Sequence, residues 1–293
     1  MHPDELDIDA ALVRRLIAAQ FPQWMSLPIE RVPSSGTDNA MFRLGDELAV
    51  RMPRRKDATL QVEKEFHWLP SLAPLPLEIP TPVAMGEPSD EYPWRWSVYR
   101  WLDGENAATA CIDDPRAAAL AIAEFVAALR RIDPTGGPTP GQHNFHRGVS
   151  LVKRDRFMRA AIASLAGEVD VAAVSAAWDA ALRAPQWHAS PTWLHGDLAP
   201  GNLLVRNGRV SGVIDFGGLA VGDPACDLMV AWNFMTAETR HVFRDALQSD
   251  EAGWARGRGW ALSMSVIALP YYLHTNPVIV ENSRRTIAAI LSA

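Results

Sequence analysis

The stretch from His195 to Gly217 constrains this 293-residue chain more than any other. It opens with His195-Gly196-Asp197-Leu198, reaches Asn202, and closes with Ile214-Asp215-Phe216-Gly217. Short apolar runs flank both polar blocks: Trp193-Leu194 before the first, Leu203-Leu204-Val205 after it, and Val210 to Ile214 before the second. Such runs read as strands, and a strand end holds its side chain rigidly. Asp197, Asn202 and Asp215 are thereby brought together as two carboxylates and one amide oxygen. These are hard oxygen ligands of the kind Mg²⁺ takes, with one carboxylate left over as a base.

The spacing sharpens this. A kinase catalytic loop runs H-R-D-L-x-x-x-N with D-F-G downstream. Here His195, Asp197, Leu198 and Asn202 keep that spacing, Asp215-Phe216-Gly217 is intact, and Gly196 stands in place of the Arg. Read singly, Asp197 and Asn202 also suit an Asx turn between strands, and Asp215 an ordinary turn before Gly217 and Gly218. Both blocks in order favour the phosphoryl-transfer reading. The pattern resembles the aminoglycoside phosphotransferase and choline-kinase-like family, relatives of the protein kinases, in which Gly at the Arg position is characteristic. The resemblance runs from Arg31 to the C-terminus and continues in Gly222-Asp223-Pro224-Ala225-Cys226-Asp227.

The resemblance implies a bilobal, protein-kinase-like α/β (α+β) fold. A small N-terminal nucleotide-binding lobe, with an antiparallel sheet, one key helix and an N-terminal covering helix, takes residues 1–99. Residues 100–104 are the hinge, and a large, mostly helical C-terminal lobe takes 105–293. Length alone already points to two lobes or two domains. With 48% apolar residues the chain can bury a large core, and its formal charge of −6 argues against a nucleic-acid partner bound through phosphate neutralisation. The same charge is compatible with a cationic small substrate. Cys111 and Cys226 lack the spacing of a metal site and read as free thiols of a reducing compartment. The acidic first residues do not resemble a signal peptide, and no apolar run is long enough for a bilayer, so a soluble cytoplasmic protein is expected. Oligomeric state is not legible.

Within the first lobe, Leu12, Val13, Leu16 and Ile17 keep helical spacing across Asp9 to Gln20. A loop from Pro33 to Asn39 precedes a hairpin of two strands, 40–44 and 48–52, turning at Gly45-Asp46. In Leu48-Ala49-Val50-Arg51, alternation places Ala49 and Arg51 on one face. In the kinase V-A-I-K strand the Ala lies under the adenine and a Lys meets the phosphates; Arg51 stands where that Lys would be. Arg54, Arg55 and Lys56 are nearby cations. Asp57 can cap a helix that Pro70 stops.

By resemblance, Glu65 is the carboxylate that pairs with the strand cation, with Glu63 as the fallback, and the backbone N–H groups of Gly36 and Thr37 approach the nucleotide phosphates. The carbonyl of Arg100 and the N–H of Leu102 meet the base edge, Tyr99 takes the gatekeeper position, and Ala49, Leu204 and Ile214 sandwich the base. Trp94 and Trp96 read as core or sheet-face residues.

In the second lobe, Asp114-Pro115 opens a helix to Ile132 with Ile122, Phe125, Val126 and Leu129 on one stripe. His143 and His146 fall in a Gly/Pro-rich loop and read as solvent-facing. Two further helices lead to the catalytic strand. Asp223-Pro224 starts another, on which Asp227, in the family manner, anchors the catalytic loop near His195. Three more helices follow. Glu238, Asp245, Asp250, Glu251 and Glu281 are candidates for cationic substrate groups, or surface acids.

The activity implied is transfer of the γ-phosphoryl group of ATP or GTP to a hydroxyl of a small molecule. His195 and Asp197 are the catalytic positions, with Asp197 as base; Asn202 and Asp215 hold Mg²⁺, and Arg51, steadied by Glu65, places the triphosphate. An aminoglycoside is the first acceptor class, and choline-like alcohols, homoserine or other antibiotics are alternatives. A nucleotide-binding regulator without turnover is the rival of a different kind. A protein acceptor is disfavoured, because no A-P-E segment or long activation loop separates Gly217 from Asp223.

Overall fold

The structure, a computed structural model, describes residues 6–33 and 38–292. Gly36 and Thr37, expected near the phosphates, lie outside the described residues. The Asp9 carboxylate accepts the Leu12 N–H at 2.7 Å and starts helix α1 (Ala10–Gln20), which buries Val13, Leu16 and Ile17 as their spacing predicts. Strands β1 (Ile29–Val32), β2 (Asn39–Leu44) and β3 (Leu48–Pro53) follow, then helix α2 (Thr59–Leu72), then β4 (Pro82–Gly86) and β5 (Trp96–Arg100). The five strands form one antiparallel sheet in the order β1-β2-β3-β5-β4.

Along β3 the pleat sorts side chains as the alternation predicts. Leu48, Val50 and Met52 join Phe42, Leu44, Trp96 and Val98 in a core shared with α1, and Trp94 packs against it. Ala49 and Arg51 are buried on the other face. Two local expectations for α2 are corrected. Asp57 does not cap it, because Asp57 is engaged by Arg55 and lies inside a short 3₁₀ turn, Lys56–Ala58. Nor does Pro70 stop it: the helix runs on to Leu72 with Pro70 in its last turn, giving up the one bond its missing N–H would make to the Phe66 carbonyl just before the helix ends.

The helical lobe begins with β6 (Glu105–Asn106) and α3 (Pro115–Arg131), the latter capped by Asp114 accepting from the Arg116 and Ala117 N–H groups. Helices α4 (Asp155–Ser164) and α5 (Val171–Arg183) lead to β7 (Thr192–Leu194), β8 (Leu203–Arg206), β9 (Arg209–Val213) and β10 (Ala220–Gly222). These short strands make a β7–β10 pair and a three-stranded β6-β8-β9 ribbon. A 3₁₀ segment, Pro224–Met229, runs into the single turn α6 (Val230–Asn233), and α7 (Ala237–Leu247), α8 (Glu251–Tyr272) and α9 (Pro277–Leu291) complete the lobe.

A second and larger apolar core fills this lobe, built from the α3 stripe, Trp178, Trp193, Trp260 and the strands around the catalytic loop. It reaches back to Leu69 and Leu72 at the end of α2, and to Leu77, Ile79 and Tyr99. Among the described residues no helix is long and apolar enough to cross a membrane.

Candidate active site

Arg51 sits where the two cores meet, and its guanidinium is surrounded by oxygen. Its Nη1 lies 2.5 Å from both Glu65 carboxylate oxygens, while Nη2 donates to Asp215 Oδ1 at 2.8 Å and to Gln61 Oε1 at 3.1 Å. With the Asn39 amide turned to present its oxygen, Asn39 accepts from Nη2 at 3.0 Å and from Nε at 3.1 Å. Tyr99, beside Ala49 in the β3–β5 register, donates its hydroxyl to Glu65 Oε2 at 2.7 Å. Burial by itself would loosen the proton of Arg51, but Glu65 and Asp215 more than reverse this, and the cation is held charged. Glu63 is turned outward onto Arg95, so the helix carboxylate on the strand cation is Glu65.

The catalytic loop is shaped from behind. Asp227, fully buried, accepts the His195 N–H at 2.8 Å on one oxygen and the Gly196 N–H at 2.7 Å on the other. Burial raises the Asp227 pKa, against the lowering effect of His195 and the two amides. The His195 ring is also buried: Nδ1 accepts the Asp197 N–H at 3.1 Å and Nε2 faces the Ile214 carbonyl at 3.1 Å. Its tautomer therefore carries the proton on Nε2. Both ring nitrogens are thus engaged inside the protein, by the Asp197 N–H and the Ile214 carbonyl.

Asp197 and Asn202 are in contact. Asn202 Nδ2 donates to the Asp197 carbonyl at 2.9 Å and to its Oδ2 at 3.1 Å, and the Asn202 carbonyl accepts the Ile214 N–H at 2.9 Å. Asn202 is thus tied to Asp197 and to the strand end that carries Asp215. Asp215 adopts the left-handed region, φ 62°, a conformation Asp tolerates better than most residues and one typical of functional sites. Its side chain remains 45% exposed although Arg51 grips Oδ1. Burial acts to raise its pKa, but Arg51, His195 and the Gly217 N–H prevail and lower it, so the carboxylate is ionised.

This donor set suits Mg²⁺. Asp215 Oδ2 accepts no hydrogen bond among the described residues, and Asn202, whose carbonyl accepts the Ile214 N–H, carries a neutral amide oxygen. Among the described residues no group of three or more His, Cys, Asp or Glu is arranged as a self-contained metal site. One carboxylate and one amide match an ion that completes its octahedron with phosphate oxygens and water.

Ala49 and Leu204 are buried but belong to neither core, and Ile214 is half-buried at the end of β9. After β5, the Trp101 N–H is used by the Glu47 carbonyl, whereas the Leu102 N–H has no partner among the described residues. The Arg100 side chain points outward to Glu47.

Four residues at the site had no place in the sequence reading or a different one. Gln61 lies on Arg51 and against Gly217. Lys64, 8% exposed, donates to the Gly217 carbonyl at 2.7 Å and the His143 carbonyl at 3.3 Å, and meets His143 Nδ1 at 3.1 Å. His143 is therefore not simply solvent-facing; His146 is exposed as expected. Arg147 forms an ion pair with Asp197, Nη2 to Oδ1, at 3.3 Å. A Lys between two Glu on a helix gives no warning of its burial, and a loop Arg gives none of its target.

The acids of the last helices are spread out. Glu238 and Asp245 line a shallow groove with Arg116 and His241 between α3 and α7, Asp250 caps α8, and Glu251 pairs with Arg244. Of the other cations, Arg55 is engaged with Asp57 and reaches Tyr271 at 3.5 Å.

A family model described as phosphotransferase enzyme family matches residues 30–260. Among solved structures, the GDP and kanamycin complex of APH(2″)-IIIa is 19% identical, with 94% of this chain and 97% of that one covered and a TM-score of 0.74. The streptomycin–ATP–APH(2″)-IIa ternary complex is 20% identical over 96% of this chain and 99% of that one, with a TM-score of 0.61. Macrolide 2′-phosphotransferase MphH from Brachybacterium faecium is 23% identical over 96% and 97%, with a TM-score of 0.62. At these identities the likeness is one of fold. No curated protein sequence matches the chain.

Proposed function

Since the chain belongs to the phosphotransferase enzyme family, we propose that it moves the γ-phosphoryl group of ATP or GTP to a hydroxyl of a small molecule, an aminoglycoside-type antibiotic first among acceptors. The observation that carries this reading is Arg51 held between Glu65 and Asp215, with the Asp197–Asn202 pair on the adjoining loop. A cation for the phosphates, an ionised carboxylate, an amide oxygen and a second carboxylate converge there, as phosphoryl transfer requires.

Asp197 orients the acceptor hydroxyl and takes its proton as the oxygen bonds to the γ-phosphorus. The bond from that phosphorus to the β–γ bridging oxygen breaks, and the nucleoside diphosphate leaves with the electron pair. Arg51 sets the triphosphate, and Glu65, fixed by Tyr99, sets Arg51. Ala49, Leu204 and Ile214 enclose the base, with the Leu102 N–H and Arg100 carbonyl at its edge and residues 100–104 as the hinge. Asn202 and Asp215 would hold Mg²⁺, which when bound supplies positive charge to the β- and γ-oxygens. Positioning and charge neutralisation provide most of the rate, because the protein itself does little covalent work.

A macrolide is the second acceptor class, since the likeness to MphH covers as much of both chains as that to the aminoglycoside enzymes, at a TM-score of 0.62 beside 0.74 and 0.61. The test is transfer from ATP and from GTP, with Mg²⁺, to kanamycin, gentamicin, streptomycin, a macrolide and choline, read as mass gain of the acceptor. Asp197→Ala should lose about 10²–10⁴-fold in turnover while nucleotide still binds. Nucleotide binding by the wild-type protein without transfer or hydrolysis would instead identify a regulator.

A further inference from the structure

In the protein kinases the residue before the catalytic Asp is an Arg, and here that position is Gly196. The position before Asp197 thus carries no cation. One arrives from elsewhere. Residues 141–148 form a tight loop around the fully buried Asn144, whose Oδ1 accepts the Gly141 N–H at 2.9 Å and whose Nδ2 donates to the Arg147 carbonyl at 2.9 Å and the Gly218 carbonyl at 3.2 Å. Phe145 and His146, neither of them glycine, are both left-handed at φ 55° and 58°. Two such residues in succession are costly and persist only where their surroundings impose them.

That backbone turns Arg147 inward. Its side chain is only 13% exposed, with Nη2 3.3 Å from Asp197 Oδ1. The guanidinium carbon is 5.5 Å from the centre of the Phe145 ring, and Nε is buried without a hydrogen-bond partner. The pairing with Asp197 is what compensates the buried charge. Asp197 is then gripped at both oxygens, Oδ1 by Arg147 and Oδ2 by Asn202 at 3.1 Å. A carboxylate held at one oxygen still pivots; held at two, its plane is fixed.

We propose that Arg147 is a positioning residue for the base: with Asn202 it locks the plane of the Asp197 carboxylate toward the acceptor hydroxyl, and the strained 141–148 loop exists to deliver it. This rests on the phosphotransfer reading above. Misplacing a reacting group by an ångström costs on the order of 10²-fold in rate. Arg147→Ala should therefore lower kcat about 10²-fold with the nucleotide KM changed less than about threefold, and Arg147→Lys, which keeps the charge but not the planar fork, should recover part of the loss.

The deciding measurement repeats Arg147→Ala in an Asp197→Asn background, using the donor and acceptor on which the wild-type protein is most active, or nucleotide hydrolysis if water serves best. If Arg147 acts through Asp197, its removal there costs less than about threefold. An equal loss in both backgrounds, an effect confined to nucleotide KM, or a fully active Arg147→Ala overturns the proposal. Should Arg147→Ala not fold, Arg147→Lys and Arg147→Gln carry the same comparison. Wild-type protein inactive toward every acceptor and toward water sinks the phosphotransfer reading itself, an outcome separate from wild-type activity that ignores Arg147.

Discussion

The main chain of Gly196 lies against the carbonyl of Gly218, and neither position has room for a side chain. A Cβ on Gly196 would fall 2.4 Å from the Gly218 oxygen, and one on Gly218 would fall 2.7 Å from the His195 oxygen. Gly196 also has φ +81°, which side-chain-bearing residues rarely adopt. The Gly that replaces the kinase Arg is thereby explained: the catalytic loop and the loop after Asp215 meet backbone to backbone.

Gly196→Ala should destabilise the protein by about 2–5 kcal/mol, from backbone strain plus overpacking, and Gly196→Arg at least as much. Urea midpoints of the two variants check this. A midpoint equal to wild type for Gly196→Ala would mean the loops separate freely and that the contact does not set the residue.

Removing Glu65 strips the buried Arg51 of one of its two carboxylates, leaving Asp215, and takes the acceptor from the buried Tyr99 hydroxyl, at a cost of about 3–5 kcal/mol. Glu65→Ala should accordingly lower the denaturation midpoint sharply and raise the nucleotide KM. Arg51→Lys should retain much of the stability yet raise that KM roughly tenfold, since a point charge cannot serve Glu65, Asp215 and Gln61 at once. Equal nucleotide KM values in Arg51→Lys and wild type would remove Arg51 from phosphate placement.

Burial lowers the Lys64 pKa to about 8, below its ordinary value of 10.5. Below pH 8 folded and unfolded chains both carry the proton, and the folded state bears the full cost of burying it. Between pH 8 and 10.5 the unfolded chain holds a proton that the folded chain has released, so stability rises with pH over that window. Relative to Lys64→Met, wild type should gain about 1 kcal/mol between pH 7 and pH 9 in urea unfolding. Parallel curves for the two proteins would show that Lys64 is charged throughout.

Asp227→Ala would leave the His195 and Gly196 N–H groups buried without an acceptor, at roughly 1–3 kcal/mol each. Turnover should fall more than nucleotide affinity, because Asp197 follows directly after Gly196 and is displaced with it. Single-turnover kinetics beside nucleotide titration separate the two; a loss confined to affinity would detach Asp227 from the catalytic loop.

Much of this was legible because it is local. Alternation along Leu48 to Arg51 placed Ala49 and Arg51 on one face, and the spacing from His195 to Asn202 singled out residues that meet, Asn202 on Asp197. The rest depends on segments far apart in sequence. Nothing near Lys64 foretells the Gly217 carbonyl, 153 residues on, nor does Arg147 advertise Asp197. Asp57 looked like a helix cap because capping is a local rule, and it lost to a neighbour, Arg55, competing for the same oxygens. His195 carried a catalytic motif's name but lies wholly beneath the surface, which only burial reveals.

Helix α2 is fastened along its length: Gln61 and Glu65 on Arg51, Lys64 on the Gly217 carbonyl, Leu69 and Leu72 in the larger core. In protein kinases the placement of this helix and its Glu is what activation controls. Pinned at both ends and in the middle, the helix here already holds Glu65 on Arg51. For the phosphotransfer proposed above, the ion pair on which the triphosphate depends is then made before any donor arrives, and no separate event is called on to form it.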